Sequence, residues 1–264
     1  KFSIEKDKDT RSIRFALSAI KGVGIGSMNN LVIERKENGK YRNIIDFMTR
    51  LKGDVINKRQ LEKLIQSGSF DSVCKNRSKL FNNVLNFVEI YGGIQNSNDN
   101  QIFLFDEKKL SFEDKNLFNQ EITEWSLADL LKNELEVIGF YFSNHPISLY
   151  PKNFFVLHNI VDFDEIINDS NIVNSKVAGA ILDIKERSNK DGKKYAFLTI
   201  SNSKSQFELT IFSDKLREFR HLIREGNILV FHIDIFKDNE NIRKIIRKIE
   251  DLNKLFSFQK QKFN

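Results

Sequence analysis

The stretch IKGVGIGSMNNLVIER, residues 20–35, places a glycine-rich turn between two segments whose apolar residues recur with helical spacing. Residues at i, i+3, i+4 and i+7 share one face of a helix, so this spacing predicts two helices joined by a tight hairpin. The apolar positions are Ile13, Ala16, Leu17 and Ile20 before the turn, and Met28, Leu31 and Val32 after it, with Arg35 next in the same spacing. Gly22, Gly24 and Gly26 permit backbone torsions that other residues avoid. Ser27 is the expected N-cap of the second helix.

Backbone N–H groups at such a helix start point outward, so a phosphate binds there without any side chain reading a base. The segment resembles the helix-hairpin-helix motif, with Gly22, Val23 and Gly24 as its GxG core. The expected contacts to the backbone of duplex DNA are Lys21, Gly22, Val23, Gly24, Ile25, Gly26 and Ser27, with Lys58 and Arg59 at a second helix start. The alternatives are an ordinary helical hairpin without a ligand and, at Lys58 and Arg59, a solvated basic turn.

Composition limits the remaining choices. With 264 residues and 40% hydrophobic content, the chain can bury a real core and is expected to form two domains. A net charge of +6 suits a polyanionic partner, although an AT-rich genome would produce part of that basicity through codon bias. The single cysteine, Cys74, excludes an internal disulfide and a cysteine-based zinc site. We expect a cytoplasmic protein without membrane contact, and the opening KFSIEKDKDT indicates a fragment of a longer chain.

The first half of the sequence predicts further helices. Gly39 is expected to end the second helix of the hairpin, Asn57 and Asn76 to begin later helices, and Gly68 to follow the end of one. Apolar stripes assigned to the core comprise Ile44, Ile45, Phe47, Met48, Leu51, Leu61, Leu64, Ile65, Leu80, Phe81, Val84, Leu85 and Val88. Glu124 to Tyr150 predicts one more helix, which ends at SNHP with His145 as a capping residue.

Residues 91–110 begin with the polar, turn-forming YGGIQNSNDN and continue with the apolar pentapeptide QIFLF, residues 101–105. An apolar cluster in an exposed loop commonly serves a partner. The pentapeptide resembles the motif by which bacterial polymerases and repair proteins dock on the sliding clamp. On that resemblance Gln101 hydrogen-bonds at the pocket edge, Leu104 and Phe105 fill the pocket, and Ile102 supports them. The alternative is that Phe103 and Phe105 fold back on the helical domain as a hydrophobic latch.

Beyond Val173 the apolar period changes to about two, which predicts strands. The strand candidates are residues 176–185, 193–202, 205–213, 227–236 and 242–252, with a helix at residues 214–226. Five strands with one helix between the third and fourth predict an OB-fold, a small barrel often used for single-stranded nucleic acid.

Such a barrel binds single strands through aromatic faces and basic side chains on its second and third strands. The candidates are Lys190, Lys193, Lys194, Tyr195, Phe197, Phe207 and Phe212. Alternation leaves open whether the set with Tyr195 and Phe197 or the set with Ala196 and Leu198 faces the core. A purely structural barrel is the alternative. Arg243, Lys244, Arg247 and Lys248 add a basic edge, which either binds nucleic acid or protects that edge from aggregation.

Taken in order, these segments resemble the C-terminal region of the bacterial replicative DNA polymerase III alpha subunits, the C-family. The phrases that carry the resemblance are IRFALSAIKGVGIGSMNNLVIER, VINKRQLEKLIQSGSFD, QIFLF, ELEVIGFYFSNHPI, VAGAILDIKER and KKYAFLTISN. The resemblance implies a multidomain α plus β protein in which an all-α helix-hairpin-helix and clamp-binding domain, residues 1–150, precedes an OB domain, residues 174–252. Residues 151–173 are then a linker and residues 253–264 a tail.

The same resemblance implies partners and a division of labour. The expected partners are duplex DNA, the sliding clamp, single-stranded DNA, and the rest of the polymerase and its replisome. No catalytic residue, metal site or cofactor is expected in this chain, because the carboxylates that hold two Mg²⁺ ions for a nucleotidyltransferase belong to a palm domain upstream. A further C-terminal domain of the family is expected to be absent. The alternative function is a freestanding single-stranded-DNA-binding or repair accessory protein.

Overall fold

The chain divides into two units, Lys1–Gly139 and Phe140–Asn264. The structure is a computed structural model, and it describes residues 2–7, 10–51, 56–92, 121–168, 173–238 and 241–262. The first unit holds a two-stranded ribbon, β1 (Ser3–Asp7) and β2 (Thr10–Arg14), and a 3-10 turn, Leu17–Ala19. Its described α-helices are α1 (Ile25–Asn38), α2 (Ile44–Leu51), α3 (Lys58–Gln66), α4 (Arg77–Asn82), α5 (Val84–Gly92) and α6 (Leu127–Ile138).

The prediction of a helix before the glycine turn is wrong. Strand β2 and the 3-10 turn occupy that stretch, so the unit is not purely helical. Ile13 pairs with Ile4 across the ribbon and is 73% exposed, whereas Ala16 and Ile20 are buried. The strand ladder satisfies the backbone groups that a helix would otherwise pair, and only the last part of the apolar pattern faces the core.

Helix ends in the first unit follow the side chains that cap them. Asn57 accepts the Gln60 N–H in a reciprocal capping box, and Asn76 accepts the Lys79 N–H at 2.7 Å, as predicted. Gly39 ends α1, and Gly68 follows α3 with a φ of 77°, both also as predicted. The segment after Asn76 forms two helices instead of one, because Asn83 departs from helical geometry and separates α4 from α5.

Two details of the predicted helical stripes differ from the structure. Leu85, expected in the core, is 52% exposed as a result of the break between α4 and α5. Helix α6 starts after Ser126, whose side chain accepts the Asp129 N–H, and ends at Gly139 with a φ of 92°, well before the expected SNHP. A left-handed residue stops a helix, so residues after Gly139 take another path.

The core of the first unit comes from α1 to α6 together. Leu61, Leu64 and Leu80 are at most 1% exposed, and Val137 of α6 is fully buried beside them. Most of the predicted stripe positions lie in this core, and Ile45, Phe81 and Val88 pack against it while partly exposed.

The second unit is built on five strands: β3 (Asn174–Ser188), β4 (Lys194–Ser201), β5 (Gln206–Ile211), β6 (Ile228–Asp238) and β7 (Asn241–Asp251). They close into a barrel in the order β3-β4-β5-β7-β6, with β6 paired back to β3. Helix α9 (Ser213–Glu218) lies between the third and fourth of these strands. The strand order and the position of the helix are those of the predicted OB-fold.

The barrel interior settles which residues of β4 face inward. Ala196, Leu198 and Ile200 are fully buried, so Tyr195 and Phe197 lie on the outer face. At Gly179 of β3 a side chain would not fit, because an added Cβ would lie 2.1 Å from Ile200 Cγ2. Glycine therefore allows β3 to approach β4 closely.

The described parts of the expected linker and tail are packed in the second unit. Residues 151–173 carry α7 (Lys152–Leu157) and α8 (Phe163–Asn168), and the tail forms α10 (Leu252–Lys262). Phe154, Phe163 and Leu252 are at most 3% exposed, because their apolar side chains cover the barrel.

His145 is a capping residue, but it caps the start of a 3-10 turn, Pro146–Leu149, and not the end of α6. Its Nδ1 accepts the Ile147 N–H, and its Nε2 lies 3.0 Å from Ser201 Oγ. Burial lowers the pKa of His145 to about 4, so the ring is neutral at pH 7 and serves as a structural hydrogen-bonding group.

Candidate nucleic-acid interface

The turn at residues 21–26, which we name the glycine hairpin, is exposed except for one buried side chain. Val23 is buried, whereas Lys21, Gly24 and Gly26 face solvent. The backbone N–H of Lys21 donates to the Val137 carbonyl at 2.8 Å, which ties the turn to the end of α6. Gly22 has a φ of 82°, a conformation that favours glycine.

Helix α1 begins earlier than predicted. Gly24 is its N-cap and has no side chain to offer, while Ser27 lies one turn inside and its Oγ accepts from Gln60 Nε2 at 3.3 Å. The first N–H groups of a helix lack an intrahelical partner, so those of Ile25, Gly26 and Ser27 remain available to an anion. An added Cβ at Gly26 would meet nothing within 4 Å, which indicates open space for a ligand.

The start of α3 packs beside this turn. An added Cβ at Gly22 would lie 3.8 Å from Arg59 Nε and 3.7 Å from Lys63 Cγ. Lys58 and Arg59 are exposed, Lys58 pairs with Glu62 at 3.8 Å, and Lys63 pairs with Glu136 at 2.6 Å. The fold therefore brings the predicted Arg59 next to the hairpin. Exposed amides and cations in one place suit phosphate groups and provide no means of reading bases.

The second candidate surface lies on the outer face of the barrel. The rings of Tyr195 and Phe197 are half-buried with centroids 5.5 Å apart, and Phe212, 50% exposed, lies 6.4 Å from Tyr195. Lys193 and Lys194 are exposed at the adjoining hairpin. We name Tyr195, Phe197 and Phe212 the aromatic face.

Sequence reasoning missed two basic residues beside the aromatic face. Lys185 is the cross-strand partner of Phe197, and Arg187 is that of Tyr195. Both are exposed. Only the register of β3 against β4 reveals this pairing. Rings flanked by cations are the arrangement that binds single strands without sequence preference.

Phe207 does not belong to the aromatic face. It is 6% exposed in the barrel core, where its ring stacks on Phe163 with centroids 3.6 Å apart. The predicted base contact at Phe207 is therefore corrected, because the alternation of β5 points this ring inward with Leu209 and Ile211.

Comparisons with known proteins agree with this architecture. The family model of the helix-hairpin-helix motif matches residues 1–80. The DNA polymerase III subunit alpha of Borreliella burgdorferi is 30% identical over 259 residues, which cover 94% of this chain and 22% of that protein. The same subunit of Rickettsia felis is 34% identical over 268 residues, 96% of this chain and 21% of that protein. This chain is a homologue of the C-terminal region of the DNA polymerase III alpha subunit.

The alpha-subunit homology covers nearly all of this chain but only a part of each relative. The Bacillus subtilis alpha subunit is 30% identical over 223 residues, 83% of this chain and 19% of that protein. The chain thus spans about a fifth of the length of these relatives. A solved structure of the mitochondrial single-stranded DNA binding protein Rim1 from S. cerevisiae matches 31% of this chain with a TM-score of 0.27 and 14% identity, covering 96% of that chain.

The predicted clamp motif of this alpha-subunit homologue lies outside the described residues, as do its members Gln101, Ile102, Leu104 and Phe105. The chain that follows it is described from residue 121. Asn76 Nδ2 donates to the Ile122 carbonyl at 2.7 Å, and the Glu124 carboxylate accepts the N–H groups of Arg77 at 2.5 Å and Ser78 at 2.9 Å. Sequence reasoning missed this anchor, in which Glu124 caps α4 from a distant part of the chain.

Two of the four residues in the predicted basic edge of β7 are paired with carboxylates in the alpha-subunit homologue. Arg247 pairs with Asp234, and Lys248 pairs with Glu250 at 3.0 Å. Lys244 lies 5.2 Å from the centre of the Phe163 ring, and burial lowers its pKa. Arg243 is exposed. The edge closes the barrel against β6, so its charges do not guard a free strand.

Within the described ranges, no group of three His, Cys, Asp or Glu side chains is placed to hold a metal ion. Across those same residues, no helix has the length and apolar content that a membrane span requires.

Proposed function

We propose that this chain is the non-catalytic region of a DNA polymerase that holds DNA and tethers the enzyme to its sliding clamp. The observation that carries the proposal is the match to DNA polymerase III alpha subunits over 94% of the chain, together with the exposed glycine hairpin. We infer that the polymerase reaction and its Mg²⁺ ions belong to the remaining four fifths of such a protein.

The glycine hairpin is the proposed grip on duplex DNA. The uncapped start of α1 supplies backbone N–H donors, and Lys21, Lys58 and Arg59 supply positive charge around it. Donors of this kind bind phosphate oxygens at any sequence. A polymerase needs such a contact, because it must slide along every sequence that it has copied.

The aromatic face is the proposed site for single-stranded DNA. Tyr195 and Phe197 lie nearly perpendicular, at 83°, so a base that stacks on one ring meets the edge of the other. Lys185, Arg187, Lys193 and Lys194 are the proposed phosphate contacts beside them. Stacking contributes roughly 1 to 3 kcal/mol per base, so three rings give a moderate affinity that suits a strand in motion.

The pentapeptide QIFLF is the proposed clamp tether, with Gln101, Leu104 and Phe105 as anchors and Ile102 in support. The anchoring of Ile122 and Glu124 on α4 supports this role. A clamp held at residues 101–105 would be connected, through a short segment, to the unit that carries the glycine hairpin. Tension on the tether would then act on the part of the protein that is proposed to grip the duplex.

The deciding experiment is a titration of the full chain against a bacterial sliding clamp. The triple variant Gln101→Ala, Leu104→Ala, Phe105→Ala should lose binding, because it removes the polar contact and both pocket-filling side chains. Phe103→Ala is the matched control from the same pentapeptide, and it should bind as the unchanged chain does.

Two results would overturn the tether. One is an absence of binding by the unchanged chain to a clamp that binds a known docking peptide. The other is equal loss in the triple variant and in Phe103→Ala, which favours the hydrophobic latch. Tight oligonucleotide binding without any clamp binding would favour the freestanding single-stranded-DNA-binding protein.

A further inference from the structure

Gln60, in the first turn of α3, contacts two helix starts at once. Its Oε1 accepts the backbone N–H of Asn57 at 3.1 Å, while its Nε2 donates to Ser27 Oγ at 3.3 Å. The first bond belongs to the capping box of α3. The second reaches α1, 33 residues away in the chain. One amide therefore joins the start of α3 to the start of α1.

Close packing at the glycine hairpin surrounds this bond. Gly24 is the N-cap of α1, and an added Cβ there would lie 3.3 Å from Gln60 Nε2. An added Cβ at Gly22 would lie 3.8 Å from Arg59 Nε, so the first turn of α3 also lies against the residue that turns the chain. The absence of a side chain at Gly24 thus leaves the Gln60 amide the room to reach Ser27.

The two helix starts present backbone N–H groups beside each other. In α3 the capping box uses the N–H groups of Asn57 and Gln60. Those of Lys58 and Arg59 remain without an intrahelical partner, as do those of residues 25–27 in α1. Because Gln60 holds the two starts together, these donors belong to one surface.

This surface also lacks the acidic groups that commonly stabilise helix starts. Neither α1 nor α3 has an acidic residue in its first turn, whereas α6 has Asp129 there and α4 receives the Glu124 carboxylate. Glutamate is the other residue common at the position that Gln60 occupies in a capping box. Glutamine accepts the same N–H without adding a negative charge, so the positive ends of both helices stay available to an anion.

We propose that Gln60 is a positioning residue of the duplex grip, whose bond to Ser27 holds the starts of α1 and α3 as one phosphate-binding surface. The inference rests on the proposed grip by the glycine hairpin and adds to it a residue that itself binds no phosphate. A duplex presents its phosphates at regular spacing along each strand. Two helix starts held at a fixed separation lose less entropy on binding such an array than two starts that move independently.

The test is a titration of the full chain with a fluorescently labelled DNA duplex at low salt. Ser27→Ala removes the acceptor of the Gln60 bond and leaves the capping box intact. It should weaken duplex binding about three- to tenfold, the range expected for one hydrogen bond, and leave the midpoint of urea denaturation nearly unchanged. Ser27→Thr keeps a hydroxyl at this position and should restore the affinity.

Ser126→Ala is the matched control, because it makes the same chemical change at the start of another helix of the same unit. The Ser126 side chain accepts the Asp129 N–H at the N-cap of α6. Its loss should lower the urea midpoint and leave the duplex affinity of the folded chain unchanged. Opposite responses of the two serine variants would separate positioning from a contribution to stability.

A double-mutant cycle with Gln60→Met shows whether Gln60 acts through Ser27. Gln60→Met, Ser27→Ala and the double variant should all weaken duplex binding to about the same extent, because each breaks the same bond. None of them changes the net charge, so the slope of log K against log salt should equal that of the unchanged chain.

Three results would overturn the role of Gln60 and leave the grip in place. They are unchanged affinity in both single variants, additive losses in the double variant, and a loss in Ser27→Ala alone, which would make the Ser27 hydroxyl itself the phosphate contact. If the unchanged chain binds no duplex at low salt, the grip is overturned and the role of Gln60 with it.

Discussion

At the scale of single residues, backbone geometry decides what the glycine hairpin tolerates. The sequence predicts that three glycines matter, yet the structure gives them different tasks. Gly22 has a φ of 82°, an added Cβ at Gly24 would lie 3.3 Å from Gln60 Nε2, and one at Gly26 would meet nothing within 4 Å. A pattern of letters cannot separate these cases, since torsions and neighbours arise only when α3 packs against the turn.

Gly22→Ala should therefore destabilise the first unit by about 1 to 2 kcal/mol, because alanine is strained in the left-handed region. Gly26→Ala is the matched control. It keeps its N–H in the first turn of α1 and should be neutral or stabilising by up to about 1 kcal/mol. Urea denaturation followed by the fluorescence of Trp125, the single tryptophan, measures both. Equal losses in the two variants would show that space, and not the torsion of Gly22, constrains the turn.

At the scale of elements, a buried ionic cluster joins α3, α4 and α6. Arg77 of α4 pairs with Asp71 at 2.6 Å and with the fully buried Glu134 of α6 at 2.9 Å, and its guanidinium also reaches the Gln66 carbonyl at the end of α3. Nothing in the sequence indicated that Arg77 and Glu134 pair, because the contact joins residues that are far apart in the chain. The apolar stripes were predictable, whereas the ion pairs between helices were not.

Arg77→Met should cost about 3 to 5 kcal/mol, because it leaves Glu134 buried without its counter-charge. Adding Glu134→Leu should recover much of that loss. Arg14→Met, at an exposed pair with Glu5 on the ribbon, is the surface control and should change stability by at most about 1 kcal/mol. Trp125 packs against Phe81 of the same unit, so its fluorescence in urea reports all three variants. If Arg77→Met lowers stability no more than Arg14→Met does, the ionic cluster does not stabilise the first unit as proposed.

At the scale of the whole molecule, the sequence predicted that a helical unit precedes a barrel. It did not predict the residues at which each unit begins and ends. The change of apolar period at Val173 predicted the barrel, its strands and its intervening helix. The expected linker and tail are instead α7, α8 and α10, which Phe154, Phe163 and Leu252 fasten to the second unit. Helices as short as α7 and α8 give no long apolar period in a sequence, so their docking through Phe154 and Phe163 could not be predicted from it. Sequence reasoning also missed Lys185 and Arg187, because their position beside the rings depends on the strand register.

The net charge of +6 makes some binding to DNA a property of the whole chain, so a local grip must be separated from general attraction. Removing two charges at the hairpin with Lys58→Gln and Arg59→Gln should reduce the salt dependence of duplex binding by about two in the slope of log K against log salt. Lys152→Gln with Lys254→Gln removes the same charge from exposed positions of the second unit and should leave that slope nearly unchanged. Titrations of one duplex across a range of salt concentrations, repeated with a second sequence, measure the slope and the expected indifference to sequence. If both double variants lower the slope equally, the attraction is spread over the molecule, and the glycine hairpin has no special part in it.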